Sequence, residues 1–221
     1  NLYPVTIVND FYEEPDALRE YALAQSYACC QAPKDKYGWP GSRTKDLSEL
    51  NQDLYQKVCL KIVSLFHNSE HDVMRWNILT GFQIVEEKFD KGLIHQDGDV
   101  VFAGIIYLSP NAPLNSGTSI YRKNNFFDEK RYFNALNQND LMLTTGKAPS
   151  FDYHKMFEET VRVNNVYNSL VLFEGDQYHA ANNFFGKTKH DARLTQTFFI
   201  KRVDAQKHTV FPINRVKSIN L

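Results

Sequence analysis

The sequence is short of cysteine, of long hydrophobic runs and of net charge, and each shortage disfavours a class of protein. It has three cysteines, and two of them are the neighbours Cys29 and Cys30, which cannot readily bridge each other, so no disulfide framework is expected. The longest apolar run, Val100 to Leu108, has nine residues, about half of what a membrane span needs. The 25 Lys and Arg residues nearly balance the 26 Asp and Glu residues, which disfavours dedicated binding to nucleic acid or to an acidic membrane.

Glycosylation, targeting and repeat signals are also missing. The sequence contains no Asn-x-Ser/Thr acceptor, no charged and then apolar leader, and no repeat at solenoid spacing. We therefore expect a cytoplasmic protein in a reducing compartment. With 221 residues, 43% of them hydrophobic, the chain can bury one core but not comfortably two, which predicts a single domain over residues 1–221.

The N-terminal third of the chain predicts helices. Pro15 stands where a first helical residue often stands, and the apolar spacing behind it predicts a helix from Pro15 to Gln25. After an irregular loop over Gln31 to Arg43, a second helix begins near Asp46, with Glu49 three residues later as its capping-box partner. Its aliphatic residues share one face, which predicts packing against a sheet: Leu47, Leu50, Leu54, Val58, Ile62 and Leu65.

The remainder of the chain predicts strands, because β-branched and aromatic runs alternate there with Gly, Pro, Asn and Asp. At least five are visible: Trp76 to Val85, Val100 to Leu108, Thr118 to Tyr121, Val166 to Phe173 and Arg193 to Val203. Short strands without βαβ alternation predict an antiparallel sandwich or jelly roll with helices buttressing one side. The predicted fold class is mainly β with flanking helices (α+β): a double-stranded β-helix (jelly roll) core over 76–203, a helical buttress over 1–75 and a tail over 204–221.

One long segment interrupts the strand pattern. Residues 122–165 carry scattered aromatic side chains, among them Phe126, Phe127, Tyr132 and Tyr153, and are too long for a simple loop. We predict a helix within them around Asp152 to Thr160. The segment is either a functional lid over a binding site or an irregular excursion whose aromatics fill a local core.

A zinc-peptidase pattern occurs but has a poor context. The segment HNSEH, from His67 to His71, matches HxxEH literally, and that chemistry needs two imidazoles one helical turn apart together with a glutamate base. Asn68 and Ser69 favour a helix end over a helix interior. A solvated helix terminus is therefore the preferred interpretation.

A second histidine motif has a better context. His95 and Asp97 form the triplet HQD directly before an apolar strand, and His179 follows another strand through the turn Glu174 to Asp176. An HxD triplet alone is close to chance and carries little weight. Two histidines and one carboxylate on adjacent strands of a jelly roll, however, can occupy one face of an octahedral iron and leave three positions open.

At this point the sequence resembles the 2-oxoglutarate- and Fe(II)-dependent dioxygenases, most closely the prolyl 4-hydroxylase-like branch with its phage and bacterial relatives. Fragments carry the resemblance in order: FQIV (Phe82 to Val85), IHQDGD (Ile94 to Asp99), FAGIIYLSP (Phe102 to Pro110), SGTSIYR (Ser116 to Arg122), NSLVLFEGDQYHA (Asn168 to Ala180) and RLTQTFFI (Arg193 to Ile200). The resemblance implies iron ligands His95, Asp97 and His179, a salt bridge from Arg193 to 2-oxoglutarate and a hydroxyl contact from Tyr107.

The resemblance also implies the reaction. The expected cofactors are Fe(II), the co-substrate 2-oxoglutarate and O2, and the expected outcome is hydroxylation of an unactivated C–H bond with release of succinate and CO2. Asp97 favours hydroxylation, because Gly or Ala at that position opens a halide site in related halogenases. The prime substrate is expected to be a peptide or protein side chain first, and a free amino acid or other small molecule second. Two departures are visible: Ser116 replaces a glycine of the family's GGxT segment, and the longer spacing before Arg193 implies an enlarged turn over Asn182 to Asp191.

The residues themselves leave alternatives open. Arg193 opens a strand on which Thr195 and Thr197 alternate, so it can point into the barrel and grip a carboxylate, although a surface arginine fits as well. His179 alone is compatible with a structural histidine and Tyr107 with a core aromatic. The alternative function is a jelly-roll metal-binding, ligand-binding or structural module without catalysis.

Overall fold

The computed structural model describes residues 5–29, 39–65, 73–145 and 147–207. Its helices are α1 (Pro15–Ala24), α2 (Leu47–Leu50), α3 (Gln52–Ser64) and α4 (Glu129–Thr144). Its strands are β1 (Val5–Val8), β2 (Ala28–Cys29), β3 (Ser42–Arg43), β4 (Met74–Val85), β5 (Phe102–Tyr107), β6 (Thr118–Lys123), β7 (Phe157–Val163), β8 (Leu170–Glu174), β9 (Tyr178–Ala181) and β10 (Arg193–Ala205). The HNSEH segment, most of the predicted loop over 31–43 and the tail beyond residue 207 lie outside the described residues.

Two antiparallel sheets form the centre of the described structure. The major sheet has the strand order β1-β8-β5-β10-β4-β3-β2, and the minor sheet has the order β7-β6-β9. An isolated antiparallel bridge between His95 and His179 extends the minor sheet by one more pair. The interior between the sheets is filled at one end by a small apolar cluster: Ala103, Tyr107, Ile120, Val163, Val171 and Phe173. The predicted jelly roll with mainly β content is therefore confirmed.

The N-terminal helices cover the outer face of the major sheet. Leu18 and Ala22 of α1 and Val58 and Ile62 of α3 are buried in one core. The sheet side of this core contains Ile78, Phe82, Ile106, Leu172, Phe198 and Ile200. The predicted helix Pro15 to Gln25 is confirmed to within one residue. The second predicted helix is present as α2 and α3, with Asp46 capping the first by accepting a hydrogen bond from the Ser48 amide.

The first 75 residues are not only a helical buttress. β1 pairs with β8 at one edge of the major sheet, and β3 pairs with β4 near the other edge. With four and two residues, β1 and β3 are too short for an alternating hydrophobic pattern to identify them as strands of the sheet. None of the helices in the described residues is both long and apolar enough to cross a bilayer.

The predicted helix at 152–160 is present only in its first part. Asp152–Met156 forms a 3-10 helix, below called the 3-10 turn, whereas residues 157–160 belong to β7, which pairs with β6. The long helix of this segment is α4, capped by Asp128, whose carboxylate accepts a hydrogen bond from the Arg131 amide. Cross-strand pairing outweighed the local helical pattern at 157–160.

The aromatic side chains of residues 122–165 build a second core. Tyr132 of α4, Tyr153 of the 3-10 turn and Phe157 of β7 are buried together with Ile94 and Ala180 from the chain segments that carry His95 and His179. Phe126, in contrast, is 78% exposed. Most of these aromatic side chains therefore fill a local core, which was one of the two alternatives for the segment. This core also contacts the residues next to His95 and His179.

Candidate metal centre

His95 and Asp97 lie on an extended segment just before β5. Residues two apart in such a segment point to the same side, which directs both side chains into the barrel. The Asp97 amide donates a hydrogen bond to the Gly175 carbonyl at 2.8 Å. A Cβ at Gly175 would lie 2.4 Å from the Val100 carbonyl oxygen, so the glycine is required for this close approach of the two chain segments.

His179 approaches from β9. Its amide donates to the His95 carbonyl at 2.9 Å, and the His95 amide donates to the His179 carbonyl at 3.1 Å. On its other side β9 pairs with β6, where Ile120 is the register partner of His179. The two imidazoles therefore stand side by side, with ring centroids 4.2 Å apart.

The free nitrogens of both rings face one carboxylate. His95 donates from Nδ1 to the Leu93 carbonyl at 2.8 Å, and His179 donates from Nδ1 to the Gln177 carbonyl at 2.9 Å. Because a carbonyl oxygen only accepts, both Nδ1 atoms carry the proton and both Nε2 atoms keep a lone pair. The Nε2 atoms of His95 and His179 lie 3.5 and 3.4 Å from the Asp97 carboxylate oxygens.

The charge states of these groups suit metal binding. Burial and the neighbouring His179 lower the pKa of His95, so its imidazole stays neutral. Burial raises the pKa of Asp97, but the neighbouring His179 and His95 outweigh this effect, and the net pKa of the carboxyl lies well below its usual value. Two imidazoles and one carboxylate form the donor set that favours a divalent transition metal.

The spacing of the donors also fits one ion. Neighbouring ligands about 2.1 Å from an octahedral ion lie roughly 3 Å from each other. The three ligand atoms of His95, Asp97 and His179 all lie within 4.8 Å of one another. The fixed Nδ1 hydrogen bonds supply the outer contacts that orient histidine ligands.

Arg193 and Tyr107 lie on the inner face of the major sheet. Thr195 on β10 is the register partner of Tyr107 on β5. Arg193 comes two residues before Thr195, so the side chains of Arg193, Thr195 and Tyr107 lie on the same face of the sheet. Arg193 is 3% exposed, and its guanidinium carbon lies 5.5 Å from the centre of the Tyr107 ring. The Tyr107 hydroxyl donates to Thr118 Oγ1 at 2.9 Å, which links the two sheets.

The Arg193 guanidinium is incompletely paired. Nε donates to the Ser116 carbonyl at 3.1 Å, whereas Nη2 is buried and has no hydrogen-bond partner within the described part of the chain. Burial lowers the pKa of Arg193, and Tyr107 acts in the opposite direction. A buried cation with an unused donor is costly unless an anion occupies the space in front of it.

One cavity of about 710 Å³ contains both features, because His95, Asp97, His179 and Arg193 all contribute to its lining. One wall is the inner face of the major sheet. The opposite wall is one stripe of α4 at helical spacing: Phe133, Leu136, Asn137 and Asp140.

Several cavity residues were missed by sequence reasoning. Trp39 packs edge-on against His95, with ring centroids 4.3 Å apart, and the preceding loop offered no pattern that predicts this. The α4 stripe had a usable signal. Asp128 is followed by seventeen residues without glycine or proline, which is typical of a capped helix.

The sequence family of unknown function DUF6445 matches residues 1–200 of this chain. The chain belongs to this family. No match was found among the curated proteins.

Solved structures with a similar fold include HygX from Streptomyces hygroscopicus. HygX with nickel, 2-oxoglutarate and hygromycin B bound is 12% identical, matches 95% of this chain and 86% of its own, and has a TM-score of 0.55. HygX with iron bound matches with 11% identity, 95% and 85% coverage and a TM-score of 0.53. A prolyl-4-hydroxylase from Pseudomonas putida is 11% identical over 90% of this chain and 93% of its own, with a TM-score of 0.46.

The likeness to HygX shows the fold. The chain shares the double-stranded β-helix fold of HygX, so the fold that the motifs predict is confirmed.

Proposed function

We propose that this protein is an Fe(II)- and 2-oxoglutarate-dependent oxygenase that hydroxylates an unactivated C–H bond. The observation that carries the proposal is the joint presence, in one cavity, of the His95, Asp97 and His179 cluster and the incompletely paired guanidinium of Arg193. A site that only binds metal has no need for the buried arginine. A 2-oxoglutarate-dependent oxygenase does need such an arginine, because its co-substrate is a dicarboxylate.

His95, Asp97 and His179 are proposed as the metal ligands. Their Nε2 atoms and carboxylate oxygens converge, and the Asp97 charge offsets part of the charge of a divalent ion. Iron, when bound with 2-oxoglutarate and O2, supplies the oxidising chemistry that yields succinate, CO2 and a hydroxylated substrate. The protein holds the ligands in one orientation through the Leu93 and Gln177 carbonyls.

Arg193 is proposed to hold the far carboxylate of 2-oxoglutarate. Its Nε donates to the Ser116 carbonyl, which leaves the unpaired Nη2 for the ligand. A planar guanidinium suits a carboxylate, since two parallel N–H donors match its two oxygens. The Tyr107 hydroxyl donates to Thr118 Oγ1 beside it, and we propose that this hydroxyl turns to donate to the same carboxylate when 2-oxoglutarate binds.

The cleft between α4 and the major sheet is proposed to bind the prime substrate. Phe133 on α4 is 54% exposed and Leu79 on β4 is 44% exposed, and both line the cavity. Exposed apolar side chains inside a cleft favour an apolar ligand. Asn137 offers an amide on the same α4 stripe, which suits the polar groups of an amino-acid or peptidyl substrate.

The decisive test is a thermal melt with metal and co-substrate. Mn(II) should raise the melting temperature, and 2-oxoglutarate should raise it further only when the metal is present, because a ligand that binds the native state stabilises it. Formation of succinate with Fe(II) and O2 then tests catalysis. Stabilisation by the metal without any effect of 2-oxoglutarate would instead favour a metal-binding module.

A further inference from the structure

Two tyrosine hydroxyls from the segment 122–165 converge on one backbone carbonyl next to a proposed metal ligand. Tyr132 on α4 donates to the Ile94 carbonyl at 3.4 Å, and Tyr153 in the 3-10 turn donates to the same oxygen at 3.3 Å. All three residues are buried. We propose that Tyr132 and Tyr153 are positioning residues that set the orientation of His95 through the Ile94 carbonyl, an inference that rests on the proposed function.

The peptide group between Ile94 and His95 is held from both ends. Its carbonyl accepts from the two tyrosines, and its amide donates to the His179 carbonyl at 3.1 Å. A planar peptide group that is fixed at both ends cannot rotate, and this fixes the direction in which the His95 side chain leaves the backbone. The Nδ1 bond to the Leu93 carbonyl then sets the rotation of the ring.

The tyrosines act on the side of this chain segment that faces away from β9. Towards β9 and the turn before it, the bridge of His95 with His179 is flanked by hydrogen bonds from the Gly92 amide to the Ala181 carbonyl at 2.9 Å and from the Asp97 amide to the Gly175 carbonyl at 2.8 Å. Because the two ends of a trans peptide group point in opposite directions, the Ile94 carbonyl points away from these bonds. The two hydroxyls supply restraint from the other side.

The same aromatic cluster also supports the second histidine. Tyr178, the residue before His179, lies 5.7 Å from Tyr132 and 4.8 Å from Phe157 between ring centroids. Both histidine-bearing segments therefore rest on the core formed by residues 122–165. Residues 122–165 therefore support the proposed metal ligands, and they also line the cavity through the α4 stripe.

The hydroxyls make this arrangement specific. Burial raises the pKa of both tyrosines, so the hydroxyls stay protonated and act as donors. A purely apolar filling of the same space needs only the rings, as in phenylalanine. Removing the hydroxyl while keeping the ring therefore separates positioning from packing.

The experiment uses the full chain with Tyr132→Phe, Tyr153→Phe and the double variant. Tyr55→Phe is the matched control, because the Tyr55 hydroxyl also donates to a backbone carbonyl, that of Ile78, at 2.8 Å on the far side of the major sheet. Mn(II) affinity is measured by electron paramagnetic resonance, Co(II) coordination by its d–d absorption, and metal-free stability by urea unfolding.

The double variant should bind Mn(II) about tenfold more weakly, since loss of outer contacts to a metal ligand costs about 10- to 100-fold, and its Co(II) spectrum should shift. In each single variant, the loss of Mn(II) affinity should be less than half of that in the double variant on a logarithmic scale, because the remaining hydroxyl still holds the Ile94 carbonyl. The control should lose stability without any change in metal affinity or spectrum.

Unchanged Mn(II) affinity and Co(II) spectrum in the double variant would overturn the inference and leave the tyrosines as packing residues. If the double variant does not fold, the single variants decide by the same two readouts. Failure of the wild-type protein to bind Mn(II) at all would refute the proposed function instead, so the two failures are distinguishable.

Discussion

Arg193 Nε donates to the Ser116 carbonyl at 3.1 Å, and this bond ties the first residue of β10 to the turn before β6. The bond spans the two sheets and uses the donor on one edge of the guanidinium. The Nη2 group, which has no partner within the described part of the chain, is left for a ligand in the cavity. The charge of Arg193 is thus fixed in position before any ligand binds, which reduces the entropy lost on binding.

Arg193→Lys should weaken 2-oxoglutarate binding about tenfold, because a two-donor fork is replaced by a point charge. Tyr107→Phe should weaken it less, by about 1 kcal/mol for one hydrogen bond. Calorimetric titration of 2-oxoglutarate into the Mn(II)-loaded variants measures both. Mn(II) affinity itself should not change, and equal 2-oxoglutarate affinity in all three proteins would place the anchor elsewhere.

Asp97→Asn should reduce Mn(II) affinity by more than about 100-fold, since changes in outer contacts alone cost about 10- to 100-fold. The amide nearly preserves the shape of the side chain but removes the charge that offsets the ion. Asp99→Asn is the control, because Asp99 is exposed on the same loop. Succinate formation should be lost in the first variant and kept in the second, and full activity of Asp97→Asn would contradict the ligand assignment.

Phe133→Ala should raise the KM for a prime substrate while leaving uncoupled turnover of 2-oxoglutarate intact, because Phe133 lines the cavity on α4. A panel of free amino acids and short peptides that stimulate succinate formation provides the substrate. Phe126→Ala is the matched control, since Phe126 is also exposed but does not line the cavity. Equal effects of the two changes would show that the α4 stripe does not contact substrate.

Phe157→Ala should destabilise the protein by about 3 kcal/mol, in the range for loss of a buried aromatic side chain. Its ring packs against Phe127, Tyr132 and Tyr178 at centroid distances of 5.5, 5.6 and 4.8 Å. Urea unfolding measures the change. A loss below about 0.5 kcal/mol, the range of exposed positions, would mean that the segment 122–165 is a detachable lid and not a core.

His154 should make stability depend on pH. Burial and nearby Lys91 lower its pKa to about 3, whereas the unfolded value is about 6.5. The unfolded chain therefore binds the proton first, and stability is lost as pH falls from about 6.5 towards 3. Between pH 7 and pH 5 the contribution amounts to about 1 to 2 kcal/mol.

The matched variant for this effect is His154→Phe, because the ring packs between Phe151 and Tyr153. The difference in unfolding free energy between the two proteins, measured in urea at pH 7 and at pH 5, should shift in favour of the variant at the lower pH. Identical pH dependence of both proteins would show that the pKa of His154 is the same in the folded and the unfolded state.

The sequence by itself predicted five of the strands, the helices that cover the major sheet and five candidate site residues. Strand periodicity marks residues that face inward, and the family resemblance of the motifs from His95 to Arg193 predicts which of these residues carry chemistry. These signals are local, and each can be read within a few residues of the chain. Roles for the site residues remain predictions, while the assembly of His95, Asp97, His179 and Arg193 around one cavity is a structural finding. Tyr107 is buried behind the cavity lining, beside Arg193.

Only the tertiary structure decided what residues 122–165 do. β7 carries a sequence that is locally compatible with a helix, and its conformation is set by pairing with β6. On α4, Tyr132 and Phe133 are adjacent in sequence, yet one donates to the carbonyl before His95 and the other lines the cavity. A helix turns about 100° per residue, so neighbours reach different partners, and which partners those are depends on segments far away in the chain.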